Sequence, residues 1–248
     1  MNKKVPTIII GLFVIVIVVL VVVFKDNLKG NYEKVSEYII LDNDSIWKYT
    51  GNWEKVSYDE VNNKSFVVYV DNLYKGKFTL KYGNEWNLFL NDKYQSYDGS
   101  LLAFSDNFAQ VVSFTSYEVD DNDLNIINNI LHSNYILENI SSERVNIDLN
   151  SDNILDNLVV VSNLNDEKAN NYFNLVYASI DGKISILIHE NYDVKDYYNA
   201  PIYNINKIIK VNNKMSVIFN KGYFSDAGKS GNMMYQINDG NFELVIED

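Results

Sequence analysis

The spacing of hydrophobic positions changes three times along the chain, and each change marks a different kind of element. From Pro6 to Phe24 the run PTIIIGLFVIVIVVLVVVF is apolar on every side, broken only by Thr7 and Gly11. A helix of about 19 residues at about 1.5 Å per residue spans roughly 28 Å, the thickness of a bilayer core. No face is polar, so a transmembrane helix is expected rather than a buried helix of a globular core. From Tyr38 to Tyr117 the pattern switches to alternation. SFVVYV, GKFTLKY, EWNLFL, SLLAFS and QVVSFTSY are rich in β-branched and aromatic residues and read as strands. The Asn-, Asp- and Gly-bearing segments VNNKS, DNLYKG, KYGNE, LNDKY and YDGS separate them as turns, and an antiparallel meander is the simplest arrangement. Trp47, Trp53 and Trp86 fall in this block and are expected to anchor its core.

Helical spacing appears once more, at Leu124, Ile127, Ile130 and Leu131 behind the acidic cap residues Asp120 and Asp121. It predicts one amphipathic helix that covers a sheet. Alternation then resumes and repeats. An offset of 58 residues lays Asn157–Leu164 (NLVVVSNL) on Met215–Gly222 (MSVIFNKG) and Leu175–Gly182 on Met233–Gly240. Tyr177 then meets Tyr235, and the Asp181-Gly182 turn meets Asp239-Gly240, each followed by another alternating strand. A tandem duplication is expected. The fold class predicted is mainly β (α+β). It comprises an anchor over 1–25, a juxtamembrane stalk over 26–37, an antiparallel β block over 38–118, a helical connector over 119–144, and a tandem β repeat over 145–248.

The flanks of the apolar run set its orientation. Lys3 and Lys4 precede it, whereas Lys25 is followed at once by Asp26, which predicts a cytoplasmic N-terminus and an extracellular remainder. A cleaved signal peptide begins in the same way. The run is longer than an ordinary h-region, however, and VVVFKDNLKG after it offers no small-x-small cleavage triplet, so an uncleaved signal anchor is preferred. The chain has no cysteine, which excludes a lipid-modified cysteine and leaves an exported domain to be stabilised by packing, hydrogen bonds or metal. The formal net charge is −12, and the three lysines of the first 25 residues make the remainder more acidic still. Such a surface repels nucleic acid and anionic lipid.

One loop carries candidate chemistry. In Asp148-Leu-Asn150-Ser-Asp152-Asn153-Ile154-Leu-Asp156, oxygen-bearing side chains occupy alternate positions just before the strand NLVVVSN. Calcium takes six to eight oxygens at about 2.3–2.6 Å, and a tightly turning loop supplies them from positions 1, 3, 5, the carbonyl of 7, and 9. Here those are Asp148, Asn150, Asp152, the Ile154 carbonyl and Asp156. Asn153 holds the sharply turning sixth position, where Asn is the best substitute for Gly. Position 12 is Val159, inside a strand, so an EF-hand is excluded. The loop resembles the FG-GAP or VCBS-type repeat of integrin-α-like β-propellers and bacterial surface proteins, D-x-D-x-D-G-x-x-D followed by an apolar strand. The resemblance spans about 20 residues. It implies calcium ligation by Asp148, Asn150, Asp152 and Asp156, weakened by Asn at position 3 and at the turn. In the second repeat the corresponding stretch, IIKVNNKMSVIF, is shorter and lacks the carboxylates. Two repeats are too few blades for a closed propeller. An Asn- and Asp-rich chain also produces acidic turns from composition alone, as Val119–Asp123 does, and that reading stays open beside the metal.

Catalytic constellations are missing from the sequence. His132 and His189 stand far apart, there is no cysteine nucleophile, and the Gly-Lys-Ser at Gly228–Ser230 lacks a phosphate loop's first glycine at the required spacing. The expected function is that of a membrane-anchored extracellular accessory or interaction protein with a structural calcium site and a protein or glycan partner. The alternatives are a tethered glycan-binding module that uses Trp47, Trp53 or the Tyr-rich stretch 191–203, and a cell-wall or glycan hydrolase with an unidentified carboxylate pair.

Overall fold

The computed structural model describes residues 37–248 apart from 43–44, 106–107, 165–170, 194, 196–198 and 224–229. The expected anchor and nearly all of the stalk lie outside the described residues. Among the described residues no helix is long and apolar enough to cross a membrane. Residues Glu37–Asp248 form one compact unit. It is mainly β, with three antiparallel sheets and one short α-helix.

The first sheet holds β1 (Glu37–Leu41), β2 (Ser45–Tyr49), β3 (Trp53–Lys55), β4 (Ser65–Val70), β5 (Leu73–Tyr82), β6 (Trp86–Leu90), β7 (Lys93–Gln95) and β8 (Leu101–Phe104). Its order, β3-β2-β1-β8-β4-β5-β6-β7, departs from the expected meander in one respect. Strand β8 returns to the middle, where Ala103 pairs with Ile40 on one side and Val68 on the other. Its sequence, LLAF, is buried on both faces, and only a central position can bury both. The hairpins at Asp71-Asn72 and Asn91-Asp92 carry two consecutive positive φ values, the twist-matched turn that Asn and Asp tolerate. Trp47 and Trp86 are buried as expected, the Trp47 indole donating to Ser45 Oγ at 2.8 Å.

The run Gln110–Tyr117, expected as one strand of this block, is two short strands that leave it. Strand β9 (Ala109–Val112) pairs with β15 (Pro201–Val211), and β10 (Ser116–Tyr117) pairs with β11 (Ser141–Ile147). Each thereby becomes the edge of a C-terminal sheet. The outer sheet runs β10-β11-β12-β13-β14, with β12 (Asp156–Ser162), β13 (Asn171–Ile180) and β14 (Lys183–Asp193). The middle sheet runs β9-β15-β16-β17-β18, with β16 (Lys214–Tyr223), β17 (Gly231–Asn238) and β18 (Asn241–Glu247).

These two sheets repeat each other to the level of their irregularities. A bulge leaves Leu187 as the extra residue opposite Val176/Tyr177, and another leaves Val245 extra opposite Met234/Tyr235, at the same offset of 58. The Asp181-Gly182 and Asp239-Gly240 turns share their φ values within a few degrees. The sheets stack head to tail rather than as mirror images. Val160, Val176 and Ile188 of the outer sheet pack against the middle sheet, while their equivalents Ile218, Met234 and Ile246 pack against the first sheet around Ile39, Leu102 and Phe104. On the opposite faces, Val217, Phe219 and Tyr235 of the middle sheet receive the outer sheet, and their equivalents Val159, Val161 and Tyr177 receive the helix.

That helix, α1 (Asp121–Leu131), starts where the sequence places it. Asp120 is its N-cap, accepting from the amides of Asn122 and Asp123 in a reciprocal capping box with the Asp123 side chain. Ile127 is fully buried, and Ile126, Ile130 and Leu131 pack beside it on the outer sheet. The helix ends at His132, whose φ is +49°. Asp123, 2% exposed, accepts from Arg144 Nη1 at 2.8 Å and from the Tyr177 hydroxyl at 3.2 Å, which fixes the helix to the sheet beneath it.

Candidate functional site

The loop between β11 and β12 turns inward on its own side chains. Asp148 accepts from the amides of Asp152 at 3.1 Å and Asn153 at 2.9 Å, and Asp152 accepts from the amide of Ile154 at 2.8 Å. Asn150 Oδ1 accepts from the Asp152 amide at 3.2 Å. Asn153 adopts φ +69°, the left-handed turn expected at the sixth position, and Ser151 adds a second at +66°. Asp156, 3% exposed, opens β12 and accepts from the Leu149 amide at 2.8 Å. Ile154 is largely exposed.

A further carboxylate joins these residues. Asp181, from the β13–β14 turn, accepts from Asn150 Nδ2 at 3.2 Å, and the same amide donates to Asp152 Oδ2 at 3.1 Å. Asn150 thus bridges two carboxylates with a neutral donor. Burial pushes the Asp156 carboxyl above its ordinary value, and the like charges of Asp152 and Asp181 add to the rise, against the opposing amide bonds from Leu149 and Asp181. The donors are hard oxygens, and each carboxylate keeps lone pairs beyond those its amide bonds use. Among the described residues no three His, Asp or Glu side chains are drawn together tightly enough to form a ready-made metal cage. Ligation here therefore requires a further inward closure of the loop.

The turn edge of the stacked sheets also holds two hollows. One, of about 650 Å³, lies between the outer and middle sheets. Its deep wall is Leu149, Ile180, Met215 and Ile237, all nearly buried, and its mouth carries Asn150, Asp181, Lys214 and Asp239. The second, of about 330 Å³, lies between the middle and first sheets, with Tyr49, Asn52 and Trp53 from the β2–β3 hairpin facing Gln236, Asn238 and Glu243. Lys214 lines both, as does Asn238. By the 58-residue offset Lys214 stands where the first repeat has Asp156, so the second repeat has exchanged a loop anion for a cation. Its own loop is a two-residue Asn212-Asn213 turn, both with positive φ.

Sequence reasoning missed Asp181 as a neighbour of the loop, because an Asp-Gly pair signals only a turn. Its proximity depends on the β12–β13 register, in which Asn157 lies opposite Ser179. Of the other residues singled out, Trp47 is a core residue, and Tyr203 of the Tyr-rich stretch is 4% exposed with its hydroxyl on Glu190 at 3.1 Å. Tyr192 donates to the same carboxylate at 2.6 Å. Burial first, and Glu190 after it, push both phenols far above their ordinary value. Of the Gly-Lys-Ser segment, Gly228 and Lys229 lie outside the described residues. No known protein family matches the chain, and neither a curated protein nor a solved structure shows significant similarity to it.

Proposed function

We propose that the chain is a single-pass, membrane-anchored extracellular accessory or interaction protein whose β-rich domain meets a partner at its turn edge. The observation that carries this reading is the separation of one uniformly apolar, N-terminally lysine-flanked run from a compact β unit that begins at Glu37. Calcium at the loop is a structural element of the proposal. Asp148, Asn150, Asp152 and Asp156 would hold the ion with the Ile154 carbonyl, and Asp181 would approach it from the neighbouring turn. A cation there would offset the carboxylate repulsion that burial of Asp156 aggravates.

Topology is tested by adding protease to intact cells whose outer wall has been removed. Shaving that leaves only a membrane-embedded N-terminal fragment is the expected result, and full protection rejects the orientation. The metal is tested by melting the purified full chain in calcium and in chelator. Calcium at 100 times Kd would stabilise by about 2.7 kcal/mol if it binds the native state alone. Identical melting in both buffers makes the loop an ordinary acidic turn.

A further inference from the structure

We infer that the turn edge is a binding groove for a neutral oligosaccharide, which crosses the middle sheet between the two hollows. The inference rests on the reading of an exported interaction protein for its setting and names the partner class. The hollows share Lys214 and Asn238, so a ligand can pass from one to the other over the end of a single sheet. Two sheet-to-sheet steps of about 10 Å give a path on the order of 20 Å, suited to an extended chain rather than a compact metabolite.

The lining selects the chemistry. Asn52 and Gln236 each offer a donor and an acceptor in one plane, Asn238 donates to Glu243 at 3.0 Å and offers its acceptor, and Asp181, Asp239 and Glu243 offer acceptors alone. Sugar hydroxyls donate and accept in the same way and match such a mixture. At the first-sheet end, Trp53 lies 5.1 Å from Tyr49 between ring centroids, so the β2–β3 hairpin brings two aromatic side chains to the hollow. Trp53 Nε1 and Asn238 Oδ1, on two residues that line this hollow, are closed to water and have no hydrogen-bond partner among the described residues. One is a donor and the other an acceptor, and a sugar hydroxyl can supply the partner that either lacks. The deep apolar wall of the larger hollow, Leu149, Ile180, Met215 and Ile237, suits the C–H face of a sugar ring or an acetamido methyl group. The excess of carboxylates along the path disfavours anionic polymers.

The test is titration calorimetry of the full chain in a detergent without a sugar headgroup. The ligands are neutral tetrasaccharides of β-linked glucose and of N-acetylglucosamine, with oligolysine as the competing ligand class. Saturable binding of a tetrasaccharide, with a change in tryptophan fluorescence, is expected. Trp53→Phe keeps an aromatic side chain, smaller than the indole, and removes the donor, and Glu243→Gln removes an acceptor charge at an exposed position. Each should weaken binding about two- to tenfold, and Glu243→Gln, at its exposed position, should leave the melting temperature within a degree or two, so that its binding loss is separated from any loss of packing at Trp53. Binding of oligolysine but of neither sugar, or sugar binding indifferent to both substitutions, overturns the proposal, as does no binding at millimolar ligand. Because the assay uses purified protein, it fails or succeeds independently of the protease test of topology.

Discussion

Replacing Asp123 by Ala should loosen the helix from the outer sheet by an amount the geometry allows to be worked out. The Asp123 carboxylate is 3% exposed and sits 2.8 Å from Arg144 Nη1, so this is a desolvated, charge-assisted contact. Such a bond contributes about 1.5–3 kcal/mol. The Tyr177 hydroxyl at 3.2 Å loses its acceptor as well, at a cost of about 1 kcal/mol. The return half of the capping box, long at 3.3 Å, adds about 0.5 kcal/mol. Arg144 keeps Asp120 at 2.6 Å, but that carboxylate is 55% exposed, and a solvated partner only partly relieves the stranded guanidinium. The total is about 3 to 4.5 kcal/mol. For a domain of this size each kcal/mol moves the melting temperature by about 2–4 °C, so a fall of roughly 6–18 °C is expected by circular dichroism. A double-mutant cycle with Tyr177→Phe, which keeps the ring packed, should show coupling between the two sites. A fall below about 2 °C, or strictly additive effects, would refute the idea that this network holds the helix in place.

Three other substitutions probe separate features. Asp156→Asn removes a buried charge whose folded-state carboxyl is raised by burial. A raised acid binds its proton more tightly when folded, so the wild-type domain loses stability as pH rises from about 4 through the raised value and does not recover it above. In chelator at neutral pH the variant should therefore melt no lower than wild type, while its calcium response disappears; a lower melting temperature in chelator contradicts this. Lys207, 2% exposed, donates to Asn72 Oδ1 at 3.3 Å across the junction of the middle and first sheets. Burial pulls its ammonium below the ordinary value, against the pull of Asp42 and Asp71. The unfolded chain then holds the proton more tightly, and stability should climb with pH from the lowered value to about 10.4. Lys207→Met should flatten that climb in denaturant titrations at pH 8 and pH 10, and an unchanged slope would assign it to another group. Gly99 has φ +121°, and a Cβ there would collide with the Asp71 carboxylate. Gly99→Ala should cost about 1–3 kcal/mol in urea unfolding, and a neutral effect would mean that the turn relaxes freely.

Local pattern carried much of this architecture. The type of most strands, the helix from Asp121 with its cap at Asp120, and the 58-residue repeat were legible because each rests on short-range periodicity. The Leu187 and Val245 bulges even keep the repeat's offset, although no residue type announces them. Long-range pairing was not legible. The departure of β9 and β10 into different sheets depends on partners about 100 and 30 residues away respectively, and neither AQVV nor SY carries information about them. The candidate loop shows the same division. The inward turn at Asn153 followed from the tolerance of Asn for positive φ, whereas the approach of Asp181 followed from strand register. Likewise, Trp53 stands on the edge strand β3 beside the second hollow whereas Trp47 and Trp86 are buried, a difference set by sheet order.

Head-to-tail stacking makes the molecule a directional polymer stopped after two units. Because the face that receives the outer sheet recurs on the outer sheet itself, every added copy regenerates an acceptor for the next, and nothing in the sheet geometry ends the growth. Helix α1 acts as the terminator. It occupies the regenerated acceptor with Ile126, Ile127, Ile130 and Leu131 and turns its polar side outward. At the other end, the first sheet occupies the donor face through Ile39, Leu102 and Phe104. Lengthening such a molecule calls for another 58-residue unit between existing ones and no redesign of either end, whereas stripping the helix exposes a surface already shaped to take up a neighbour.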